Sequence, residues 1–273
     1  MPAVTQTKFE RIFGDTKPVI AMVHLDPLPG APLHDAAAGI DGIVDRARKD
    51  LVALQAAGVD ALMFGNENDR PYELKVDVAS TAAMGFVIGR LRSEMTVPFG
   101  VNVLWDPKAS VALAAATGAA FIREILTGNY ASDMGPWTPN AGETMRYRNH
   151  VGRPDLALFN NISAEFAYSI DRRSLPERAR SAIFSSLPDA ILVSGNITGE
   201  AAPLSEVEAV KKVSGSTPVL VNTGVRHATV ADVFSVADGC IVGSSLKVDG
   251  NTWNPVDPDR AAEFMRLARE ARK

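Results

Sequence analysis

Residues 218–247, PVLVNTGVRHATVADVFSVADGCIVGSSLK, contain one full repeat of the pattern that decides the fold of this chain. An apolar run at 218–222 leads into Thr223-Gly224, and a second apolar run at 238–242 leads into Gly243-Ser244. Short runs of this kind are typical of strands in a parallel sheet, which are buried on both faces. The stretch therefore predicts two parallel strands joined by a helical crossover.

The same alternation continues along the chain. Helical segments such as 40–57, which stops at Gly58 as helices often do, separate the apolar runs. The eight predicted strands are residues 18–25, 59–64, 97–104, 119–125, 155–162, 189–194, 218–222 and 238–242. Eight such units without hairpin signals favour a closed (β/α)8 barrel of the α/β class. A doubly wound open sheet is the alternative, although no G-x-G-x-x-G motif follows the first strand.

No linker or low-complexity tract divides the sequence, so we expect a single TIM-barrel domain over residues 1–273. Residues 1–16 precede the first strand and form an N-terminal extension. The longest loop, 126–141, follows the fourth strand, where its length suits a lid over an active site.

Charge and cysteine content exclude several classes of function. The net charge of −4, with no cluster of Lys and Arg, argues against a nucleic-acid surface. Cys240, the only cysteine, leaves no intramolecular disulfide and no cysteine-based zinc site. The sequence shows neither a signal peptide nor a run of about 18 apolar residues. We therefore expect a cytoplasmic protein without an integral membrane segment.

The ends of the seventh and eighth strands predict a phosphate site, which barrels often place there. A glycine after each strand allows backbone N–H groups to approach an anion, and a short helix opening at Ser244 adds partial positive charge. The predicted ligands are Asn222, Thr223, Gly224, Gly243, Ser244 and Ser245. The alternative is that these are ordinary strand-to-helix turns, which also need glycines.

Polar residues at the other strand ends are candidates for catalysis, because active sites of barrels lie there. Glu67 is the predicted general base, Asp133 in the lid loop a second acid or base, and Arg123 a guanidinium that points inward to hold an anion. The predicted substrate-binding residues on other strands are His24, Asn102, Asn160 and Ser194. Asp133 and His24 are equally compatible with structural roles.

Evidence for a metal is weaker. The four histidines show no metal-binding spacing, and no cofactor is assigned. A Mg²⁺ site formed by Glu67 and Asp133 stays open, because such sites need only one or two carboxylates and a ligand phosphate.

Several motifs resemble the BtpA/SgcQ family. They are PVIAMVHLDPLPG at 18–30, Phe121-Ile122-Arg123, the loop from Leu126-Thr127-Gly128 to Asp133, ADGCIVGSSLK at 237–247, and Asn254-Pro255-Val256-Asp257. The resemblance covers nearly the whole chain and implies a barrel of the ribulose-phosphate-binding type. The family is named for a role in photosystem I biogenesis, whereas members beside sugar-transport and kinase genes imply carbohydrate metabolism.

The fifth strand departs from the family pattern, which has His and Lys at its end. Here residues 159–165 read FNNISAE, with neither. Schiff-base chemistry needs a lysine at a strand end, and Lys247 is better placed to meet a phosphate. If a Lys or His there does chemistry in relatives, this protein either differs in reaction or relies on Glu67 and Asp133.

These observations predict an enzyme that acts on a phosphorylated sugar or a sugar-phosphate conjugate, by isomerisation, C–C cleavage or glycosidic cleavage. The alternatives are a non-enzymatic assembly factor, as the family name implies, and a module that binds phosphosugars without turnover. The expected partners are a small phosphorylated ligand and further copies of the chain in a homo-oligomer.

Overall fold

A closed barrel of eight parallel strands forms the centre of the computed structural model, which describes residues 6–272. Around the barrel the eight strands follow their order in the chain, and the first strand pairs with both the second and the last. This closure confirms the predicted (β/α)8 class and excludes the open sheet. In chain order the elements are α1 (Lys8–Phe13), β1 (Val19–His24), α2 (Gly39–Ala57), β2 (Ala61–Gly65), α3 (Val78–Leu91), β3 (Phe99–Asn102), α4 (Pro107–Thr117), β4 (Phe121–Glu124), β5 (Tyr130–Ser132), β6 (Gly135–Trp137), α5 (Ala141–His150), β7 (Ala157–Asn161), β8 (Ala167–Ser169), α6 (Leu175–Ser186), β9 (Ala190–Val193), α7 (Leu204–Lys211), β10 (Val219–Val221), α8 (Val230–Val236), β11 (Gly239–Val242) and α9 (Pro258–Ala271).

Local sequence signals explain where the outer helices begin and end. The Asp106 side chain accepts hydrogen bonds from two backbone N–H groups at the start of α4, and Pro107 occupies the first helical turn. Helix α2 ends at Gly58, whose left-handed backbone few other residues adopt readily. None of the described helices is long and apolar enough to cross a membrane.

Alternation along the strands divides the core into two layers. Residues such as Val19 and Val101 point outward and pack against the helices. Inward residues, including Met22, Phe121 and Leu220, fill the barrel interior. At the carboxyl ends of the strands, the residues that point inward are polar or charged: His24, Asn102, Arg123, Asn161, Ser194 and Asn222. The barrel interior is therefore apolar below and polar at its mouth.

Helix α1 closes the opposite end of the barrel. Its Phe9 and Phe13 are buried, and their rings lie 5.9 Å and 6.0 Å from those of Phe159 and Phe121. Thr7 and Glu10 form a capping box that starts the helix. The described part of the predicted N-terminal extension, from residue 6, is thus part of the barrel core.

The predicted lid loop, 126–141, contains regular structure. Strands β5 and β6 form an antiparallel hairpin, and β8, from the segment after the fifth barrel strand, pairs with β5. Trp137 in this small sheet packs on Trp105, which follows β3, with ring centroids 5.3 Å apart. The sheet therefore packs on the residues that follow β3 and β4, at the side of the barrel mouth.

Candidate active site

Two glycines make room for the side chains of Glu67 and His24 at the mouth. Gly65 and Gly243 occupy the inward positions at the ends of β2 and β11. A Cβ atom on Gly65 would lie 2.4 Å from Glu67 Oε2, and one on Gly243 would lie 2.8 Å from His24 Cε1. Because these two positions carry no side chain, the side chains of Glu67 and His24 can extend toward the barrel axis.

Glu67 and Arg123 form a buried ion pair, with 3.0 Å between Oε1 and Nη2. Arg123 also donates to Asn102 Oδ1, from Nε at 2.9 Å and Nη2 at 2.5 Å, and to Asn222 Oδ1 from Nη1 at 3.3 Å. Only 6% of Arg123 and 3% of Glu67 is exposed. The inward guanidinium predicted from the sequence is therefore fixed by partners on three other strands or strand ends.

His24 is held as a neutral imidazole. Its Nε2 lies 3.8 Å from Glu67 Oε1, and burial lowers its pKa from 6.5 to about 4, against the opposing charge of Glu67. At neutral pH the ring thus has one donor and one acceptor nitrogen.

Glu165 is a second buried carboxyl in the same pocket, which the sequence analysis missed. It lies between β7 and β8 and accepts hydrogen bonds from Ser194 Oγ at 3.3 Å, Thr198 Oγ1 at 3.2 Å and Asn222 Nδ2 at 3.2 Å. Burial is the main cause that raises its pKa. Its position beyond the strand end, within a loop, gave no periodic signal.

Glu124, next to Arg123, points outward and supports the site from behind. Its Oε1 accepts from Ser110 Oγ at 2.5 Å and from Asn102 Nδ2 at 2.8 Å. Complete burial raises the pKa of Glu124 to about 8. Asn102, with its other end bonded to Arg123, therefore connects this outer carboxyl to the inner ion pair.

A pocket of about 890 Å³ opens above these groups. One wall consists of residues that follow the seventh and eighth barrel strands, including Thr223, Gly224, Gly243, Ser244 and Ser245. Three positively charged or ionisable residues missed by the sequence analysis, Arg226, His227 and Arg260, line the same side. His227 Nδ1 lies 3.3 Å from Ser245 Oγ, and a short 3-10 helix begins at the predicted Ser244.

Three residues differ from their sequence-based placement. Asp133 lies exposed in the β5–β6 turn and does not line the pocket, so it is not brought to Glu67. Asn160 points away from the barrel axis and bonds Leu126 N at 3.0 Å, because the inward phase of β7 falls on Asn161. Lys247 is buried against Asp50, 2.7 Å from its Oδ2, rather than at the phosphate wall.

Ser194, Asn222 and Thr223 take part in a hydrogen-bonded network at the floor of the pocket. Ser194 Oγ accepts from Asn161 Nδ2 at 2.8 Å and from Asn222 Nδ2 at 2.7 Å. Thr223 Oγ1 accepts from Gly195 N at 2.7 Å, which ties the ends of β9 and β10 together. Over residues 6–272, no group of three His, Cys, Asp or Glu side chains is placed to hold a metal ion.

Fold and pocket together define a (β/α)8 barrel with a polar mouth and a glycine-rich wall at strands seven and eight. The BtpA family model matches residues 15–270. The chain belongs to the BtpA family.

Two relatives span almost the same length. The putative sgc region protein SgcQ of Escherichia coli (strain K12) is 45% identical over 264 residues, covering 97% of this chain and 98% of that protein. The photosystem I biogenesis protein BtpA of Synechocystis sp. is 33% identical over 264 residues, covering 96% and 91%. This similarity confirms the family resemblance inferred from the motifs.

Solved structures support the fold at low sequence identity. N-(5'-phosphoribosyl)anthranilate isomerase from Pyrococcus furiosus has a TM-score of 0.54 at 14% identity, covering 93% of this chain and 99% of its own. An archaeal fructose 1,6-bisphosphate aldolase has a TM-score of 0.54 at 18% identity, covering 97% of each chain. At these identities the likeness concerns the barrel alone.

Proposed function

We propose that this protein is an enzyme that acts on a phosphorylated sugar or a sugar-phosphate conjugate. The observation that carries the proposal is the buried Glu67–Arg123 pair, 3.0 Å apart, at the floor of a pocket with a glycine-rich wall. A buried charged pair stabilises a fold poorly in comparison with apolar packing, and its position in a cleft is typical of a functional site.

The phosphate group of the ligand lies against the wall formed by Thr223-Gly224 and Gly243-Ser244-Ser245. Glycines permit close approach of the backbone, and the hydroxyl groups donate hydrogen bonds to phosphate oxygens. Arg226 and Arg260 supply positive charge on the same side. In the fold neighbours whose names specify phosphoribosyl anthranilate or fructose 1,6-bisphosphate, a related barrel accommodates such compounds.

Glu67 moves a proton of the sugar. Its Oε2 atom is buried and has no hydrogen-bond partner among residues 6–272, while Oε1 is held by Arg123. One oxygen is therefore fixed and the other is left for the ligand. Arg123, Asn102 and the neutral His24 orient hydroxyl groups or stabilise oxygen atoms that gain negative charge.

A thermal-shift screen tests this function. The panel contains ribose 5-phosphate, ribulose 5-phosphate, glucose 6-phosphate and fructose 6-phosphate, their unphosphorylated counterparts, and inorganic phosphate, each with and without Mg²⁺. A ligand at 100 times its Kd adds about 2.7 kcal/mol, so a binder raises Tm by several degrees. We expect shifts confined to phosphorylated compounds; no shift with any of them contradicts the proposal.

Glu67→Gln separates binding from turnover. The variant keeps the shape of the side chain but cannot accept the proton, so binding persists and turnover of any substrate from the panel is lost. Glu206→Gln, on the exposed surface of α7, is the matched control and leaves both unchanged.

The name of the Synechocystis relative favours one second candidate, a non-enzymatic assembly factor. Under this function Glu67→Gln leaves assembly activity unchanged, and none of the phosphorylated compounds shifts Tm.

A further inference from the structure

Two carboxyl groups approach the ligand pocket from opposite sides of the barrel. Glu67 follows the second barrel strand, whereas Glu165 bonds Ser194 at the end of the sixth, which lies opposite in an eight-stranded barrel. Arg123 and Asn222 connect them: Arg123 donates to Glu67 and to Asn222 Oδ1, and Asn222 Nδ2 donates to Glu165. The guanidinium thus lies in a hydrogen-bonded path between the two carboxyls.

The two carboxyls have different partners. Glu67 pairs directly with a guanidinium at 3.0 Å. Within residues 6–272 the hydrogen-bond partners of Glu165 are two hydroxyl groups and one amide, all neutral. A hydroxyl group can accept as well as donate, so this environment accommodates a protonated Glu165. Burial raises the pKa of Glu165 in that direction, against the opposing effect of the Arg123 charge. Two carboxyls in such unlike environments are suited to the roles of base and acid.

The charge of Arg123 distinguishes among the possible reactions. Glycosidic cleavage passes through a transition state that resembles an oxocarbenium cation, which a buried guanidinium between the carboxyls disfavours. An enediolate carries negative charge on oxygen, which the same guanidinium stabilises. No lysine among residues 6–272 lines the pocket, so its walls offer no amine for an imine intermediate.

We propose that Glu67 and Glu165 form an acid–base pair that enolises an open-chain aldose or ketose phosphate, with Arg123 holding the enediolate oxygen. This inference rests on the proposed function and names its substrate class. The motifs that resemble the family contain neither Glu67 nor Glu165.

The proton transfers balance within the pair. Glu67 removes a proton from the carbon next to the carbonyl group, and the electron pair of the broken C–H bond forms the C=C bond of the enediol. The carbonyl π electrons move to oxygen, whose negative charge Arg123 stabilises until it takes the proton of Glu165. Glu67 then returns its proton to the former carbonyl carbon, and Glu165 takes the proton of the hydroxyl group on the other enediol carbon, where the C=C electrons allow the new C=O bond to form. Both carboxyls are restored, and no oxidant or reductant is required.

Deuterium exchange tests this step. The protein is incubated in D2O with each of the four sugar phosphates of the screen, and 1H NMR follows loss of the C–H signal next to the carbonyl group. We expect exchange with at least one compound, and a loss of about 100-fold or more in Glu165→Gln with binding of that compound retained. Glu206→Gln exchanges at the wild-type rate.

A second variant separates catalysis from a structural role. Gln has nearly the size of Glu, whereas Asp is shorter. A structural role of residue 165 therefore predicts a higher exchange rate in Glu165→Gln than in Glu165→Asp. An acid role predicts the reverse, together with a decline of the wild-type exchange rate at high pH as Glu165 loses its proton. Wild-type exchange in Glu165→Gln overturns the inference.

The screen and the exchange assay fail in distinguishable ways. Binding of sugar phosphates without any exchange overturns the enolisation inference and leaves the proposed function standing. No binding of any phosphorylated compound overturns both.

Discussion

Arg123 Nη2 lies 3.0 Å from Glu67 Oε1, so the ends of the second and fourth barrel strands are joined across the strand between them. Asn102, at the end of that intervening strand, accepts two further hydrogen bonds from the same guanidinium. The pair therefore fixes three adjacent strand ends as well as the Glu67 carboxylate.

Loss of one member of this pair should destabilise the protein more than loss of both. Arg123→Met leaves Glu67 buried without its cation, which costs about 3–5 kcal/mol of unfolding free energy. Adding Glu67→Met to this variant removes the uncompensated charge and restores most of the lost unfolding free energy. Urea denaturation of wild type, the two single variants and the double variant measures these free energies. Equal stability of the single and double variants would contradict the prediction.

Glu124 should make the protein less stable as pH rises. Its folded pKa of about 8 exceeds the ordinary value of 4.5, so the folded state keeps a proton that the unfolded state releases. The stabilising contribution is complete below the unfolded pKa and is lost between about pH 4.5 and 8. Glu124→Gln mimics the protonated form and removes this loss. Its stability relative to wild type, from urea denaturation at pH 5, 7 and 8, should rise steadily with pH; a constant difference would refute the assignment.

Lys247 should prove structural rather than ligand-binding. Its Nζ lies 2.7 Å from Asp50 Oδ2, and both side chains are 1% exposed. Lys247→Met leaves the buried Asp50 with only the more distant Arg46 guanidinium, 3.6 Å away, as its cation, so we expect a loss of unfolding free energy of up to about 3–5 kcal/mol. The Tm increase caused by a sugar phosphate should be unchanged in the variant. A variant of normal stability that no longer responds to phosphate would return Lys247 to the phosphate wall.

Gly224 should tolerate alanine much less well than Gly215. Both have positive φ, of 71° and 60°, and alanine costs roughly 1–2 kcal/mol in that region. A Cβ atom on Gly224 would also lie 2.3 Å from Ala201 Cα, whereas Gly215 has no atom within 4 Å. We expect Gly224→Ala to lose further stability and the response to phosphorylated compounds. Gly215→Ala, which carries the same backbone strain, is the control and keeps that response.

The barrel follows from the sequence because each of its strands is a short apolar run that is local in the chain. The small sheet of β5, β6 and β8 could not be predicted from the sequence. Strand β5 pairs with β8 across more than one intervening element, and neither strand is long enough to show an amphipathic period. Helix α1 is also too short for a period, although Thr7 and Glu10 match the capping-box spacing that marks a helix start.

The candidate site was predictable where strand position determines it. Glu67, Arg123, Asn102 and Asn222 lie at strand ends, and the structure brings them together. Asn160, which we predicted to bind substrate, instead accepts from Leu126 N on the outer face of β7, because a one-residue shift moves a side chain to the other face of a strand. Glu165 lies in a loop, where only the three-dimensional fold determines which side chains reach the axis.

Glu165 lies in the short connection between β7 and β8, and β8 is one strand of the small sheet. The next residue, Phe166, accepts a hydrogen bond from Asp133 N at 3.1 Å and donates one to Asn196 O at 2.9 Å. Strand β8 then joins the hairpin directly. The backbone at Glu165 is therefore coupled mechanically to the small sheet, since the residue beside it is held by both the β5–β6 turn and the loop after β9. A rotation of the sheet would be transmitted through Phe166 to the position of the Glu165 carboxyl.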